Sequence, residues 1–279
     1  MPELPEVESL RRILVRAIKG RRVISAEVRE PRLRRAVAPD LAARIVNHTI
    51  TGIGRRAKYL LIELDGDNLI LMVHLGMSGS LTHRNDGAAL GGLDPRHDHV
   101  SFTLDDCSLL VYNDPRRFGL MTLLSTADCP GGIAELARIG PEPLGSEFTA
   151  DYLWKVSRGR AGAIKNLLMD QQVVAGVGNI YASEILFRAG VRPTRPAGRV
   201  TRVEAARIAA LTPQVLREAI GDGGTTFRSY RDARGRPGRF VDRLQVYDRE
   251  GKPCVLCGTL IRAVVVGQRS SYFCPHCQK

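Results

Sequence analysis

Four cysteines near the carboxyl end of the chain have the spacing of a metal site. They follow the pattern Cys254-x2-Cys257-x16-Cys274-x2-Cys277, and two CxxC pairs can offer four thiolates to one tetrahedral ion. Two disulfides or four unrelated thiols are the alternatives, although this spacing seldom arises otherwise in an intracellular chain. Because four thiolates fill the coordination shell of zinc, the pattern predicts one structural Zn2+ and a hairpin between the two pairs.

The amino terminus, Met1-Pro2-Glu3, could supply a nucleophile. Removal of the initiator methionine leaves Pro2 with a free secondary amine, and an α-amine has a pKa near ~8, far below that of lysine. Such an amine can attack a carbon atom and form an iminium, and Glu3 is near enough in the chain to exchange protons during that step. The alternative is purely structural, since proline and acidic residues also favour the first turn of a helix.

These groups must be positioned by secondary structure, and the first half of the sequence predicts a helix followed by a region of short strands. Apolar residues at helical spacing between 6 and 19 predict an amphipathic helix directly after Pro2. Short β-type runs follow at 23–24, 59–64, 69–73, 100–104 and 109–112. Because no helices alternate with these runs, they predict an antiparallel sandwich or barrel. Residues 83–96 contain three Gly and one Asn and are expected to form a mobile loop.

Helical periodicity returns in the second half of the chain, after a Gly- and Pro-rich stretch. Three helices are predicted there: the first contains Ile164, the second starts at Asn179, and the third opens at the capping-box pattern that begins with Thr201. Pro213 should kink the third helix or split it after Leu211, because proline lacks the backbone N–H and clashes with the preceding turn.

The charge of the chain narrows the class of partner. The 279 residues include 41 Lys and Arg against 29 Asp and Glu, a formal net charge of +12. Such an excess favours a polyanionic partner, most simply nucleic acid, although a generally basic surface is the alternative. No apolar run approaches the roughly 18–20 residues of a membrane span, and the acidic, proline-containing start is unlike a signal peptide. We therefore expect an intracellular protein with no membrane partner.

Six motifs occur in order along the chain. They are MPELPEVE at the start, RRAKYL around Lys58, HLGMSGS from His74, DPRRFG from Asp114, GVGNIYA around Asn179, and the four-cysteine finger. Together they resemble the formamidopyrimidine-DNA glycosylase family, bacterial enzymes that remove oxidised purines, and the resemblance runs over residues 2–279. Leu4 and the motifs that contain Met77 and Phe118 favour this purine branch over the related endonuclease VIII type, which begins MPEGPE.

The resemblance implies a bifunctional enzyme of base-excision repair. Such an enzyme removes 8-oxoguanine and formamidopyrimidines from double-stranded DNA through a Schiff base at the N-terminal proline, followed by β,δ-elimination. On this basis Pro2 is the expected nucleophile and Glu3 the acid near the deoxyribose. Glu6 is expected to support the sugar or base chemistry, and Lys58 to contact the DNA backbone at the lesion.

The resemblance also implies a set of DNA contacts. The residues that match phosphate-contacting or lesion-proximal positions are His74, Lys165, Asn179 and Arg269. Met77, Arg116 and Phe118 resemble a triad that fills the void left by the everted base, although scattered apolar residues such as Met77 and Phe118 are more often ordinary core. Thr225 and Thr226 resemble the loop that covers the everted base.

The expected fold class is α+β, with an N-terminal antiparallel β-sandwich behind a leading helix, a helix–two-turn–helix domain and a zinc-ribbon hairpin. The expected boundaries are 1–130 for the catalytic sandwich, 131–149 for a linker, 150–240 for the helical domain with the lesion-capping loop, and 241–279 for the zinc finger. The resemblance further implies a monomer that works in the bacterial cytoplasm and associates with the nucleoid when bound to DNA. No motif for a soluble cofactor appears.

Two competing functions remain open at this point. A catalytically silent DNA-binding protein could retain the same scaffold, but the intact Pro2, Glu3 and Lys58 favour the enzyme. A specificity shifted to oxidised pyrimidines is the other alternative, and it concerns the substrate and not the chemistry.

Overall fold

The computed structural model describes residues 2–66, 69–85, 92–125, 133–227 and 230–279. The chain divides into two compact units. Unit 1 comprises Met1–Ala137 and Ile220–Val241, and unit 2 comprises Arg138–Ala219 and Asp242–Lys279. Within the described ranges, no helix is both long and apolar enough to cross a lipid bilayer.

Unit 1 begins with the predicted amphipathic helix, α1 (Leu4–Ile18). Its start is fixed by a capping box in which the backbone N–H of Glu3 donates to Oε2 of Glu6 at 2.7 Å. Pro5 lies in the first turn, where no backbone donor is needed. Gly20 follows the helix with φ +84°, a conformation that glycine adopts without strain. The apolar face of α1 is fully buried at Leu10, Leu14 and Ile18.

Eight strands lie in the described part of unit 1. They are β1 (Val23–Val28), β2 (Ile50–Arg56), β3 (Tyr59–Leu64), β4 (Leu69–His74), β5 (Ser80–Arg84), β6 (Asp98–Leu104), β7 (Leu109–Asn113) and β8 (Leu120–Ser125). They form two antiparallel sheets, in the orders β1-β6-β7-β5 and β2-β3-β4-β8. One apolar core contains residues of both sheets, among them Leu60, Leu71, Phe102 and Leu110. The predicted antiparallel sandwich is therefore confirmed.

Several elements of unit 1 escaped sequence analysis. These are α2 (Leu41–Ile45), α3 (Ala134–Ala137) and the strands β2, β5 and β8. The stretch 83–96 is not a loop at its start, because β5 continues to Arg84, whose guanidinium forms a buried ion pair with Asp98 at 2.8 Å. A 3-10 turn covers Pro95–His97. Residues 86–91 of that prediction, and 131–132 of the predicted linker, lie outside the described residues.

Unit 2 is built mainly on helices. They are α4 (Ala150–Ser157), α5 (Ile164–Met169), α6 (Asn179–Arg188) and α7 (Arg202–Gly221), and the last two residues of α7 fall in unit 1. The three helices predicted from periodicity are α5, α6 and α7, and all three are confirmed. Sequence analysis missed α4, in which Thr149 caps the first turn by accepting from the N–H of Tyr152 at 3.0 Å.

Of the two outcomes predicted for Pro213, the split after Leu211 is wrong, because the 20-residue helix α7 runs through Pro213 without a break; the kink stays a prediction. Proline costs roughly 3 kcal/mol in a helix interior. Fully buried residues on both sides of Pro213, Ile208, Val215 and Leu216, tie the two halves into the core. Tertiary packing on both sides therefore outweighs the local cost.

The zinc-ribbon hairpin is confirmed as β9 (Arg262–Val266) paired with β10 (Arg269–Phe273). The two residues between the strands, Gly267 and Gln268, have φ of +56° and +60°, as in a two-residue type I′ hairpin turn. This turn places Arg269 at the first position of β10.

Candidate functional site

The first turn of α1 places three sequence-predicted residues in the interior of unit 1. Pro2 is buried, and Glu3 and Glu6 are 2% and 1% exposed. The two carboxylate oxygens of Glu6 accept from different segments, Oε2 from the N–H of Glu3 and Oε1 from the N–H of Thr225, each at 2.7 Å. Glu6 therefore ties the start of α1 to the segment that sequence analysis identified as a cover for the everted base.

The segment 223–227 is held against α1 by two further features. Gly224 has φ +87°, and a Cβ there would lie 2.7 Å from Oε1 of Glu6, so only glycine permits this approach. The hydroxyl of Tyr230 donates to the backbone carbonyl of Glu6 at 2.9 Å. Burial, together with the charge of Glu6, raises the pKa of Tyr230 well above its usual value, so the hydroxyl stays a donor. Residues 228–229 lie outside the described part of the chain.

Lys58 lies in the turn between β2 and β3 and is 6% exposed. Ala57, directly before it, has φ +51°, a left-handed conformation that costs energy for a residue with a side chain. The guanidinium of Arg55 holds this turn, since Nη1 donates to the carbonyl of Ala57 at 2.8 Å and Nε to Oε2 of Glu8 at 3.2 Å. Glu8 belongs to α1, so an ion pair connects the helix that begins after Pro2 to the turn that carries Lys58.

The Glu8 carboxylate is the centre of a cluster of arginines. Burial raises the pKa of Glu8, but hydrogen bonds from Arg11 and Arg12 at 2.9 Å and the charge of Arg55 outweigh burial and hold the pKa at about 2. Glu8 is therefore ionised near pH 7.

His74 ends strand β4, where it pairs with Tyr59 of β3. Its Nδ1 accepts from the N–H of Gly76 at 3.0 Å. Burial, with the nearby positive charges of Lys58 and Arg34, lowers the pKa of His74 to about 4. The ring is therefore neutral near pH 7, and the proton lies on Nε2, which leaves that nitrogen as a donor for an anion.

A cavity of about 650 Å3 lies beside His74, and its lining includes Arg34, Met77, Arg116 and Phe118. Met77 and Phe118 are 40% and 50% exposed, so neither belongs to the core, and the alternative interpretation of these two residues is wrong. The guanidinium of Arg116 lies over the ring of Phe118, 5.5 Å from its centroid. The structure thus brings the three residues of the predicted void-filling triad to one surface.

In unit 2 the remaining predicted DNA contacts meet at one residue of the zinc hairpin. The backbone carbonyl of Ser270 accepts from Nζ of Lys165 at 3.0 Å and from Nδ2 of Asn179 at 3.1 Å, and Arg269 is the exposed residue before it. Lys165 is fully buried and also donates to the hydroxyl of Ser271 at 2.6 Å. The structure therefore places Lys165 inside the unit, where its ammonium anchors the strand that carries Arg269.

Two more side chains hold this arrangement and were not found in the sequence. The fully buried carboxylate of Glu184 accepts from three successive backbone N–H groups, at Gln245, Val246 and Tyr247, at 2.9–3.0 Å. Burial raises the pKa of Glu184 despite these bonds. The side-chain amide of Gln171 accepts from the N–H of Gly176 and donates to the carbonyl of Val177, each at 2.8 Å. These two bonds shape the turn before α6.

The four predicted metal ligands converge at the base of the hairpin. All four are free thiols, so the disulfide alternative is excluded, and their sulfur atoms lie within 4.8 Å of one another. The Sγ atoms of Cys254 and Cys277 are 3.9 Å apart, and those of Cys257 and Cys274 are 3.5 Å apart. A tetrahedral zinc ion with bonds of about 2.3 Å separates its sulfur ligands by about 3.8 Å, so the cluster fits one structural zinc.

Two of the side chains that sequence analysis missed, Glu8 and Glu184, have one property in common. They act on residues far away in the chain, as Glu8 acts on Arg55 and Glu184 acts on 245–247. Asp114 did lie inside a recognised motif, but without an assigned role. A buried acidic residue within an otherwise apolar run, such as Glu184 in α6, was the available signal.

Three family models match successive parts of the chain. The family model of the formamidopyrimidine-DNA glycosylase N-terminal domain matches residues 1–121, that of the H2TH domain matches 139–231, and that of the zinc finger found in FPG and IleRS matches 251–279. The zinc-finger match and the four-cysteine cluster together establish one structural zinc site.

Individual relatives match over the whole chain. The formamidopyrimidine-DNA glycosylase of Thioalkalivibrio sulfidiphilus is 50% identical over 100% of both chains. The crystal structure of the Thermus thermophilus protein is 38% identical, has a TM-score of 0.86, and covers 99% of this chain and 98% of its own. A variant of the Lactococcus lactis protein, in complex with DNA that contains Fapy-dG, is 35% identical with a TM-score of 0.90 over 100% of both chains.

Proposed function

The chain belongs to the formamidopyrimidine-DNA glycosylase family, and from that premise we propose how its own residues excise oxidised purines from duplex DNA and then cleave the strand at the abasic site. The observation that carries the proposal is the burial of Pro2 and Glu3 at the amino end of α1. A buried amine at a helix N-terminus is biased toward its neutral, nucleophilic form.

The chemistry begins once Met1 has been removed. The nitrogen of Pro2 forms a bond to C1′ of the damaged nucleoside while the bond from C1′ to the base breaks, and the proton that the amine loses leaves with the base. The sugar ring opens to an iminium between Pro2 and C1′, and Glu3 supplies the proton to the sugar oxygen. Loss of the C2′ proton expels the 3′ phosphate, and a second elimination expels the 5′ phosphate.

Lys58 and His74 serve the phosphate backbone next to the lesion. The positive charge of Lys58 stabilises the phosphates as they leave, and the neutral His74 donates from Nε2 to a phosphate oxygen. Glu6 acts as a positioning residue, because its carboxylate is engaged by the N–H groups of Glu3 and Thr225. Glu6 thereby fixes the position of Glu3 relative to the segment that contains Thr225.

The remaining contacts hold DNA in a bent, opened form. Met77, Arg116 and Phe118 fill the space that an everted nucleotide leaves, which offsets a few kcal/mol of unstacking. In unit 2, Arg269 and the amino end of α6 at Asn179 bind phosphates, and Lys165 keeps the strand with Arg269 in place. We place this activity in the bacterial cytoplasm, on nucleoid DNA, with the protein acting as a monomer.

Borohydride trapping tests the proposed nucleophile. Protein without Met1 is incubated with a duplex that contains 8-oxoguanine and is then reduced, and a covalent protein–DNA adduct is the expected product because borohydride reduces an iminium to a stable amine. Protein with a blocked amino terminus is the matched control and should give no adduct. Lack of an adduct with the unblocked protein would sink the proposal and favour a silent DNA-binding protein.

The same assay separates the two substrate classes. Purine specificity predicts faster trapping on 8-oxoguanine than on thymine glycol in duplexes of the same sequence. Glu3→Gln should lose excision of the oxidised base yet still form an adduct with a preformed abasic site, because the open-chain aldehyde of that site reacts with the amine without protonation of the sugar ring oxygen.

A further inference from the structure

One fully buried carboxylate in unit 1, that of Asp114, has no part in the chemistry described above. Its two oxygens accept four hydrogen bonds. Oδ1 accepts from the hydroxyl of Ser78 at 2.6 Å and from the N–H of Arg116 at 3.2 Å. Oδ2 accepts from the hydroxyl of Tyr112 at 3.1 Å and from the N–H of Gly119 at 2.9 Å. All four are donors to it, as an ionised carboxylate requires.

Three of these donors come from the two loops that carry the exposed triad, and the fourth, Tyr112, lies on β7. Ser78 directly follows Met77 in the loop 75–79, and Arg116 and Gly119 belong to the loop 114–119, which also carries Phe118. A third link joins the loops without the carboxylate, since Nε of Arg116 donates to the hydroxyl of Ser78 at 3.3 Å. One buried anion therefore fastens both loops.

The backbones of the two loops are also in direct contact. Gly76 has φ +63°, and a Cβ at this position would lie 2.4 Å from the carbonyl carbon of Phe118. A Cβ on Gly119 would lie 1.6 Å from the hydroxyl oxygen of Tyr112. The tyrosine therefore occupies the space that a side chain at 119 would need, and neither loop has room to shift past the other.

Tyr112 is suited to a permanent role as donor. It is fully buried, and burial, together with the charge and hydrogen bond of Asp114, raises its pKa strongly. Its hydroxyl thus keeps its proton at every pH at which the protein is folded. A buried charge that loses a donor is left undersolvated. Removal of this one hydroxyl should therefore change the hydrogen-bond geometry of the other three donors to Asp114.

We propose that Asp114 and Tyr112 are positioning residues that lock the loops 75–79 and 114–119 into one rigid wedge, so that Met77, Arg116 and Phe118 enter the duplex together and face the unpaired base as a unit. This inference rests on the proposed function, because it requires the triad to enter DNA. It predicts that discrimination among the bases opposite the lesion depends on two side chains that touch neither DNA nor the reacting atoms.

The test uses Tyr112→Phe, which removes one hydroxyl and keeps the ring, and Ser78→Ala, which removes the link beside Met77. Single-turnover excision is measured on duplexes with 8-oxoguanine opposite each of the four bases. We define the spread as the ratio of the fastest to the slowest of the four rates. In both variants the spread should fall about fivefold, which corresponds to the net contribution of one hydrogen bond. A 2-aminopurine base opposite an abasic analogue should show a smaller fluorescence rise with the variants than with the wild type.

Ser80→Ala is the matched control. Ser80 is fully buried on β5, and its hydroxyl has no hydrogen-bond partner among the described residues, so its removal should leave the spread unchanged. Borohydride trapping on a single-stranded abasic oligonucleotide is measured in parallel, because that substrate has no opposite base and reports the Pro2 chemistry alone.

The outcomes separate the two proposals. Normal trapping with a narrowed spread in Tyr112→Phe and Ser78→Ala supports the rigid wedge. Normal trapping with an unchanged spread in both variants overturns it, even where their thermal stability falls, because a merely structural role would do only that. Absence of trapping in the wild type overturns the proposed function, and the wedge with it.

Discussion

His74 shows how its surroundings set the protonation state of a single residue that we propose to contact DNA. The imidazole is largely buried next to Lys58 and Arg34, and these surroundings lower its pKa to about 4. A protonated ring would add a third positive charge at this position, whereas the neutral ring donates from Nε2 and accepts at Nδ1 from Gly76. Binding of phosphate by His74 therefore needs no proton uptake near pH 7.

The depressed pKa of His74 predicts a dependence of stability on pH. An unfolded histidine has a pKa near about 6.5, so between that pH and about 4 the unfolded chain binds a proton that the folded protein excludes. Stability is therefore fully present above the unfolded pKa and falls as the pH falls. From pH 7 to pH 5 the wild type should lose about 2 kcal/mol more than His74→Gln, measured by urea unfolding.

His276→Gln is the control for this measurement, since His276 is exposed. It should follow the wild type at both pH values. Equal losses of stability in the wild type and in His74→Gln would contradict the proposed neutral state of His74.

At the scale of elements, α1 and the β2–β3 turn are connected by charge. Glu8 on α1 pairs with Arg55 at 3.2 Å, and Arg55 holds the carbonyl of Ala57, the residue before Lys58. The side chains of Glu8 and Arg55 are each 9% exposed, so the pair is weakly screened by solvent. The position of Lys58 is therefore coupled to the helix that presents Pro2.

Glu8→Gln tests this connection. Breaking a buried ion pair leaves an uncompensated charge, so we expect a loss of about 3 kcal/mol at pH 7. The pKa of Glu8 is lowered to about 2 in the folded protein, so its contribution is present above the unfolded pKa near about 4.3 and is lost as the pH falls toward 2. The difference between wild type and variant should therefore shrink at low pH in urea unfolding.

Glu27→Gln removes an exposed carboxylate whose nearest cation, on Arg29, is 4.0 Å away. It should cost less than about 1 kcal/mol at either pH. If Glu8→Gln were as mild as this control, or if trapping on abasic DNA were unaffected despite a large loss of stability, the ion pair would not position Lys58.

The elements also show what the sequence can and cannot predict. Short apolar runs, broken only by the exposed Glu63, located β3 and β4 nearly to the residue, because their length and their β-branched and aromatic residues favour strands. Strand β2 contains Gly52 and Gly54, and β5 ends in His83 and Arg84, so local propensity opposed both. Their stability comes from pairing with strands elsewhere in the chain, which a single sequence does not reveal.

The candidate site divides in the same way. Motifs located Pro2, Lys58 and the four cysteines, because each set lies within a short stretch of chain. The contacts that hold them, such as Glu6 with Thr225 and Asp114 with Ser78, join residues 219 and 36 positions apart. Sequence spacing carries no direct information on such pairs, so the positioning residues emerge only from the fold.

At the scale of the whole molecule, the net charge of +12 and the zinc site bear on one property, affinity for DNA. Each phosphate that is neutralised releases counterions, so affinity should fall steeply with salt concentration. In the DNA complex that we propose, the hairpin β9–β10 contributes Arg269 to this binding only while its base is held together. The cluster of Cys254, Cys257, Cys274 and Cys277 forms that base.

Cys257→Ser should therefore lose zinc and DNA affinity together. With one thiolate removed, the structural site no longer closes, and β10 no longer presents the Ser270 carbonyl to Lys165 and Asn179. The slope of log K against log salt should decrease in magnitude by about one for the lost Arg269 contact, and Arg269→Ala, with zinc bound, should reproduce that change in slope. Cys107→Ser is the matched control, because Cys107 is an exposed thiol outside the cluster, and it should keep both zinc and affinity.

The zinc content and the DNA affinity are measured on the same samples, the first by metal analysis and the second by fluorescence anisotropy with a labelled abasic duplex. A zinc-free Cys257→Ser that binds DNA as tightly as the wild type does would contradict the proposed link between the metal and Arg269.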